Sequence, residues 1–132
     1  MSALEIRVFD GINARAPLPV MNLRLVSERV TGRELIERRV RQEVAQQNRE
    51  PAEFVRTLVR PTNAEETLNG YRLRAPAPLD ADAQVERALE AFTAKGFFLL
   101  VDDRQIEQLD ESFIVTPTSR VTFIKLVQLV GG

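Results

Sequence analysis

The sequence predicts an α+β fold: one domain on a mixed sheet, with one main helix and a helical insertion. Three observations predict it. Two runs in the first 25 residues alternate apolar and polar residues like strands, a helix with its own capping signal follows the second of them, and Phe97-Phe98-Leu99-Leu100-Val101 is apolar on both faces.

Leu4-Glu5-Ile6-Arg7-Val8-Phe9 puts Leu4, Ile6 and Val8 on one face, the pattern of a half-buried strand. Asp10-Gly11 and Pro17-Leu18-Pro19 are turn chemistry and predict its end. Met21-Asn22-Leu23-Arg24-Leu25 alternates again and predicts a second, antiparallel strand. Thr31 then starts a helix, because its hydroxyl can accept from the Glu34 N–H while the Glu34 carboxylate reaches back. Leu35, Ile36, Val40 and Val44 give that helix one apolar stripe. Glu34 with Arg38, and Glu37 with Arg41, are spaced for ion pairs on its outer side.

The stretch 51–96 reads as an insertion. Residues 51–59 predict a short helix with Phe54, Val55 and Leu58 on one face, ended by Pro61. Asn69-Gly70 predicts a turn, Tyr71-Arg72-Leu73 a short strand and Pro76-Ala77-Pro78 a stiff loop. Asp80 or Asp82 caps a second helix bearing Val85, Ala88, Leu89 and Phe92, with Gly96 as its stop. After the run at 97–101, Asp102-Asp103 is a turn and Arg104-Gln105-Ile106 a short strand. Val121 to Val127 is rich in β-branched residues and predicts the last strand. In that strand Val121-Phe123 and Ile124-Leu126 compete for the core face.

Composition narrows the chemistry. The 132 residues are 44% hydrophobic and 28% charged, with 18 basic against 19 acidic and a formal net charge of −1. A chain of this length buries roughly two-thirds of its unfolded surface without staples. No net field argues for nucleic acid or an anionic membrane. The N-terminal residues lack a basic region followed by a long apolar one, so the expected compartment is the cytoplasm. The chain has no Cys and no His, which removes thiolate nucleophiles, disulfides and zinc–sulfur sites. The commonest general base and metal ligand goes with them. No catalytic residue, metal or cofactor is expected, and the chain is read as no enzyme. Turn chemistry accounts for Asp102-Asp103 and Asp110-Glu111, and the interleaved glutamates make the arginines of the first helix a solvated face.

The order strand, strand, helix, strand, short strand, long last strand, followed by Gly131-Gly132, resembles ubiquitin. Leu99-Leu100-Val101-Asp102-Asp103-Arg104-Gln105-Ile106 is similar to its third strand, tight turn and fourth strand. Residues 4–48 share the pattern, whereas 51–96 has no counterpart there. Phe123-Ile124-Lys125-Leu126-Val127-Gln128-Leu129-Val130-Gly131-Gly132 is similar to the tails of bacterial ubiquitin-like modifiers encoded with E1-, E2- and JAB-peptidase-like proteins. The resemblance implies a β-grasp fold, with residues 1–132 as one domain, its first and last strands parallel and its residues 128–132 a flexible tail.

The same resemblance implies the function: a protein modifier, conjugated through the Gly132 carboxylate, with a place in bacterial antiphage defence. The implied partners are an E1-like activating enzyme, an E2-like conjugating enzyme, a JAB-type peptidase and a target protein, with no nucleic acid and no membrane. Leu129, Val130, Gly131 and Gly132 would form the recognised tail. Glycines lack a Cβ, so the backbone can thread a narrow enzyme slot and leave the acyl carbon open to attack. Two terminal glycines arise by chance in roughly half a per cent of chains, so the tail gains weight from the strand before it. By the same likeness Phe98 and Leu100 form a docking patch while Phe97, Leu99 and Val101 face the core. The competing expectation is that the helix at 81–95 covers Phe98 and Leu100. Two other functions fit the residues: a sulfur carrier of the molybdopterin and thiamine type, forming a thiocarboxylate at Gly132, and a non-conjugated β-grasp interaction module.

Overall fold

Strand-forming residues cluster at the two ends of the chain, and the computed structural model pairs those ends with each other. It describes residues 4–12, 16–67, 70–73 and 78–125. In chain order the elements are β1 (Leu4–Ile12), β2 (Leu18–Leu25), β3 (Arg29–Thr31), α1 (Gly32–Arg49), β4 (Phe54–Val55) and β5 (Ala64–Thr67). Then follow β6 (Gly70–Leu73), α2 (Ala81–Thr93), β7 (Phe97–Val101), β8 (Arg104–Ile106), β9 (Ser112–Ile114) and β10 (Arg120–Lys125). The fold is α+β with a mixed sheet and two helices among the described residues. Two compact units divide it. The first takes its residues from the stretches up to Leu35 and from Phe92 onward, and the second is Ile36–Ala91. The second unit therefore takes in most of α1 as well as most of the stretch 51–96.

The first unit holds a five-stranded sheet in the order β2-β1-β10-β7-β8. β1 and β10 run parallel at its centre, with Val8 opposite Val121 and Gly11 opposite Ile124, and the other pairs are antiparallel. Because side chains alternate between faces along a strand, Ile6, Val8, Leu23, Leu25, Leu99, Ile106, Val121 and Phe123 share one face, and all are buried. The competition within the last strand resolves here: Val121 and Phe123 are fully buried, which turns Ile124 to the other face. The rings of Phe92, Phe97 and Phe123 form a tilted series with centroids 5.9 Å apart at each step. β3 pairs with β9 in a small separate ladder.

Several sequence expectations change in this unit. Asp10-Gly11 is not a turn, because both residues continue β1 and pair with Phe123 and Ile124 of β10. Leu18 and Pro19 already belong to β2. A proline fits there because β2 is an edge strand, and a register shift between Val8 and Phe9 accommodates it. The Thr31 cap is present, its hydroxyl accepting from the Glu34 N–H at 3.2 Å. The start of α1 is also tied to the loop before β9: the Arg33 N–H donates to the Leu109 carbonyl at 2.8 Å, and its guanidinium reaches Asp110 at 3.1 Å. Gly32 lets the chain pass close here, since a Cβ would lie 3.1 Å from Ile106 and 3.3 Å from the Gln108 carbonyl and would require them to shift by a few tenths of an ångström. α2 ends at Thr93, two residues short of the 81–95 expected with Gly96 as its stop. The left-handed residue is Lys95 (φ 62°), whose N–H returns to the Phe92 carbonyl at 3.0 Å.

The second unit combines the later turns of α1, most of α2 and an antiparallel sheet in the order β4-β6-β5. The short helix expected at 51–59 is absent. Val55 and Thr57 are β-branched and poor helix formers, and Phe54–Val55 pairs with Tyr71–Arg72 instead. The Leu58 N–H donates to the Glu43 carboxylate at 3.0 Å and not to a carbonyl one turn back. Side-chain amides hold the loops: Gln47 bonds both the N–H and the carbonyl of Ala52, and Asn48 does the same for Leu79. The Asp80 carboxylate caps α2 by accepting from the Ala83 N–H at 3.2 Å. The ion pairs expected along α1 give way to others. Arg41 reaches Asp82 at 2.8 Å, and Arg39 pairs with Glu43.

Candidate functional site

Parity along β7 decides what its side chains can do. Phe97, Leu99 and Val101 are buried, as their expected core position requires, and Phe98 and Leu100 are half-buried on the opposite face. The register then builds a surface around those two. One row runs across the sheet through Gln105, Leu100, Thr122, Phe9 and Pro19, from β8 to β2. A second row holds Phe98, Ile124 and Gly11. With strands about 4.8 Å apart, these residues form a mainly apolar band on the outer face of the five-stranded sheet, in which Phe9, Gly11 and Thr122 are buried and Phe98, Leu100 and Ile124 half-buried. Phe92, from the last turn of α2, meets Phe97 on the inner face.

Phe9, Thr122 and Ile124 were not singled out in the sequence, though parity alone would place Phe9 outward once Leu4, Ile6 and Val8 point in. Phe9 is only 7% exposed because the Arg120 guanidinium lies over its ring, 4.2 Å from the centroid. The turn that closes the band at the β7–β8 end is held by Asp102. Its N–H donates to the Arg120 carbonyl at 2.8 Å, and its carboxylate accepts from the Arg120 N–H at 3.0 Å. Asp102 (φ 55°) thus does the turn work expected of it and also fixes the start of β10 beside β7.

No family model, curated protein or solved structure matches the chain. The site therefore has to be read from its own chemistry. Among the described residues, no group of three or more His, Cys, Asp or Glu is placed to hold a metal ion, and no helix is long and apolar enough to cross a membrane. Leu129, Val130, Gly131 and Gly132, with the tail expected at 128–132, lie outside the described residues. β10 carries the chain to Lys125, one residue past Ile124 of the band. An apolar sheet face can bind a partner by burying area, and it supplies no acid, base or nucleophile.

Proposed function

We propose that this chain is a ubiquitin-like modifier with a β-grasp first unit, activated and transferred through Gly132. The observation that carries the proposal is the parallel pairing of β1 with β10 at the centre of the sheet. Together with the order β2-β1-β10-β7-β8, this mixed sheet supports the β-grasp reading. The pairing also makes β10, the last strand among the described residues, a central strand of the sheet.

The chemistry assigned to Gly132 needs nothing catalytic from this chain. An E1-like enzyme would let the Gly132 carboxylate attack the α-phosphorus of ATP, releasing pyrophosphate. A cysteine thiolate of that enzyme would then displace AMP. After passage to an E2-like enzyme, an amine of the target would displace the thiol. The band around Phe98, Leu100 and Ile124 would dock these enzymes, and a JAB-type peptidase would grip Leu129 and Val130 when it reverses the bond.

The test is mass spectrometry of the peptide containing Gly132, from tagged protein recovered from its native host. An amide or ester bond from Gly132 to another protein is the expected result, abolished by Gly132→Ala without loss of folding. Exchange of oxygen for sulfur at Gly132 would replace the proposal with a sulfur carrier. A Gly132 carboxylate that is never modified would leave only an interaction module.

A further inference from the structure

The outer face carries a second feature at its β2–β1–β10 end, which shares Phe9 and Pro19 with the band but not Phe98 or Leu100. Arg7 and Arg120 are direct cross-strand partners on β1 and β10, and both are exposed. Asn22 completes that row on β2, and Arg24 lies two residues along from it on the same face, also exposed. Like charges directly opposite each other destabilise a sheet, so some compensation is expected. Among the described residues, none of the three guanidiniums has a carboxylate within ion-pair reach. Glu5 sits opposite Arg24 without pairing, and the Asp102 carboxylate bonds the Arg120 backbone N–H instead. Charges that protect a sheet from aggregation belong on its edges, but β1 and β10 are inner strands. Beside Arg7, a depression of about 400 Å³ opens over Phe9, Pro19, Val20 and Met21, and Val20 is 43% exposed.

We infer that Arg7, Arg24 and Arg120, with the depression at Pro19 and Val20, dock an acidic protein segment bearing an apolar side chain. The carboxylates of such a segment supply the missing counter-charge, and its apolar residue covers Val20. Nucleic acid fits less well. The chain carries no net positive charge, and the aromatic ring available for base stacking is already capped by Arg120. The inference goes beyond the modifier proposal, since it does not involve Gly132, and it is testable in a chain lacking Gly131-Gly132.

The probe is a short labelled peptide of alternating glutamate and leucine. Its comparators are a glutamine–leucine peptide of equal length and a thymidine oligonucleotide of matched charge. Binding is read by fluorescence anisotropy and by backbone amide shifts. The glutamate peptide should bind with shifts confined to β1, β2 and the start of β10, weakening as salt is raised. R7Q/R24Q should weaken it at least about tenfold. Those two side chains are exposed, and an unchanged melting temperature will show that the variant folds. The inference is overturned by no binding, by equal binding of the glutamine peptide, or by R7Q/R24Q binding like the parent. Preferential binding of the oligonucleotide would also overturn it and make this a nucleic-acid face.

Discussion

Arg39 has no exposed surface, and both its Nε and one terminal nitrogen lie 3.3 Å from a single carboxylate oxygen of Glu43. That carboxylate also accepts from the Leu58 N–H, so one acidic side chain holds a buried cation and a loop of the second unit together. Removing one partner of a buried pair strands the other, at a cost of about 3–5 kcal/mol. Glu43→Ala should therefore lose stability on that scale in a denaturant melt. Arg39→Met with Glu43→Leu should recover much of the loss, and a single variant within ~1 kcal/mol of the parent would show the pair to be dispensable. Tyr71, in the same unit, has its phenol raised above the usual tyrosine value, chiefly by burial and next by the nearby Glu66. A raised folded-state value means the fold favours the neutral phenol. The associated stability is thus complete below the unfolded-state value and is lost as pH rises through the folded one. Tyr71 is the only tyrosine, so phenolate absorbance follows it alone and should show a midpoint above that of free tyrosine. Tyr71→Phe should flatten the alkaline loss of stability.

Elements with a strong repeat or a specific end signal were legible in the sequence. α1 kept its Thr31 cap and its buried Leu35, Ile36, Val40 and Val44, and α2 its Asp80 cap. β3 and β9 were not legible, because three residues are too few for a period and each exists only by pairing with the other. The stretch 51–59 misled for a related reason: its apolar spacing fits a helix, but long-range bonds to Glu43 and β6 decide its backbone. Helix ends depend on backbone angles that composition does not fix. Gly96 looked like the natural stop, yet Lys95 carries the left-handed conformation. A left-handed residue with a Cβ costs about 1–2 kcal/mol. Lys95→Gly should accordingly raise stability by about 1 kcal/mol in a thermal or urea melt, and no gain would show that the Lys95 stem compensates by packing.

At the scale of the whole molecule, the main strands were legible from their patterns, half-buried runs at β1 and β2, a two-faced run at β7 and a β-branched run at β10, whereas the parallel pairing of β1 with β10 followed only from the resemblance. The outer face was half legible. Phe98 and Leu100 stood out as large residues between core positions, whereas Ile124 needed the register of β10, which only the depth of Val121 and Phe123 settles. Arg7 and Arg120 could not be joined in the sequence at all, since the parallel ladder brings them together across most of the chain. That ladder also dictates an order of events during synthesis. The residues of the second unit are contiguous, and all its strands have been made by the time Leu73 leaves the ribosome. The first unit must wait: β1 and β7 keep open edges until β10 emerges to fill the gap between them. From the synthesis of β7 until β10 is in place, the nascent chain therefore presents two apolar strands each with one open edge, the configuration that recruits holding chaperones.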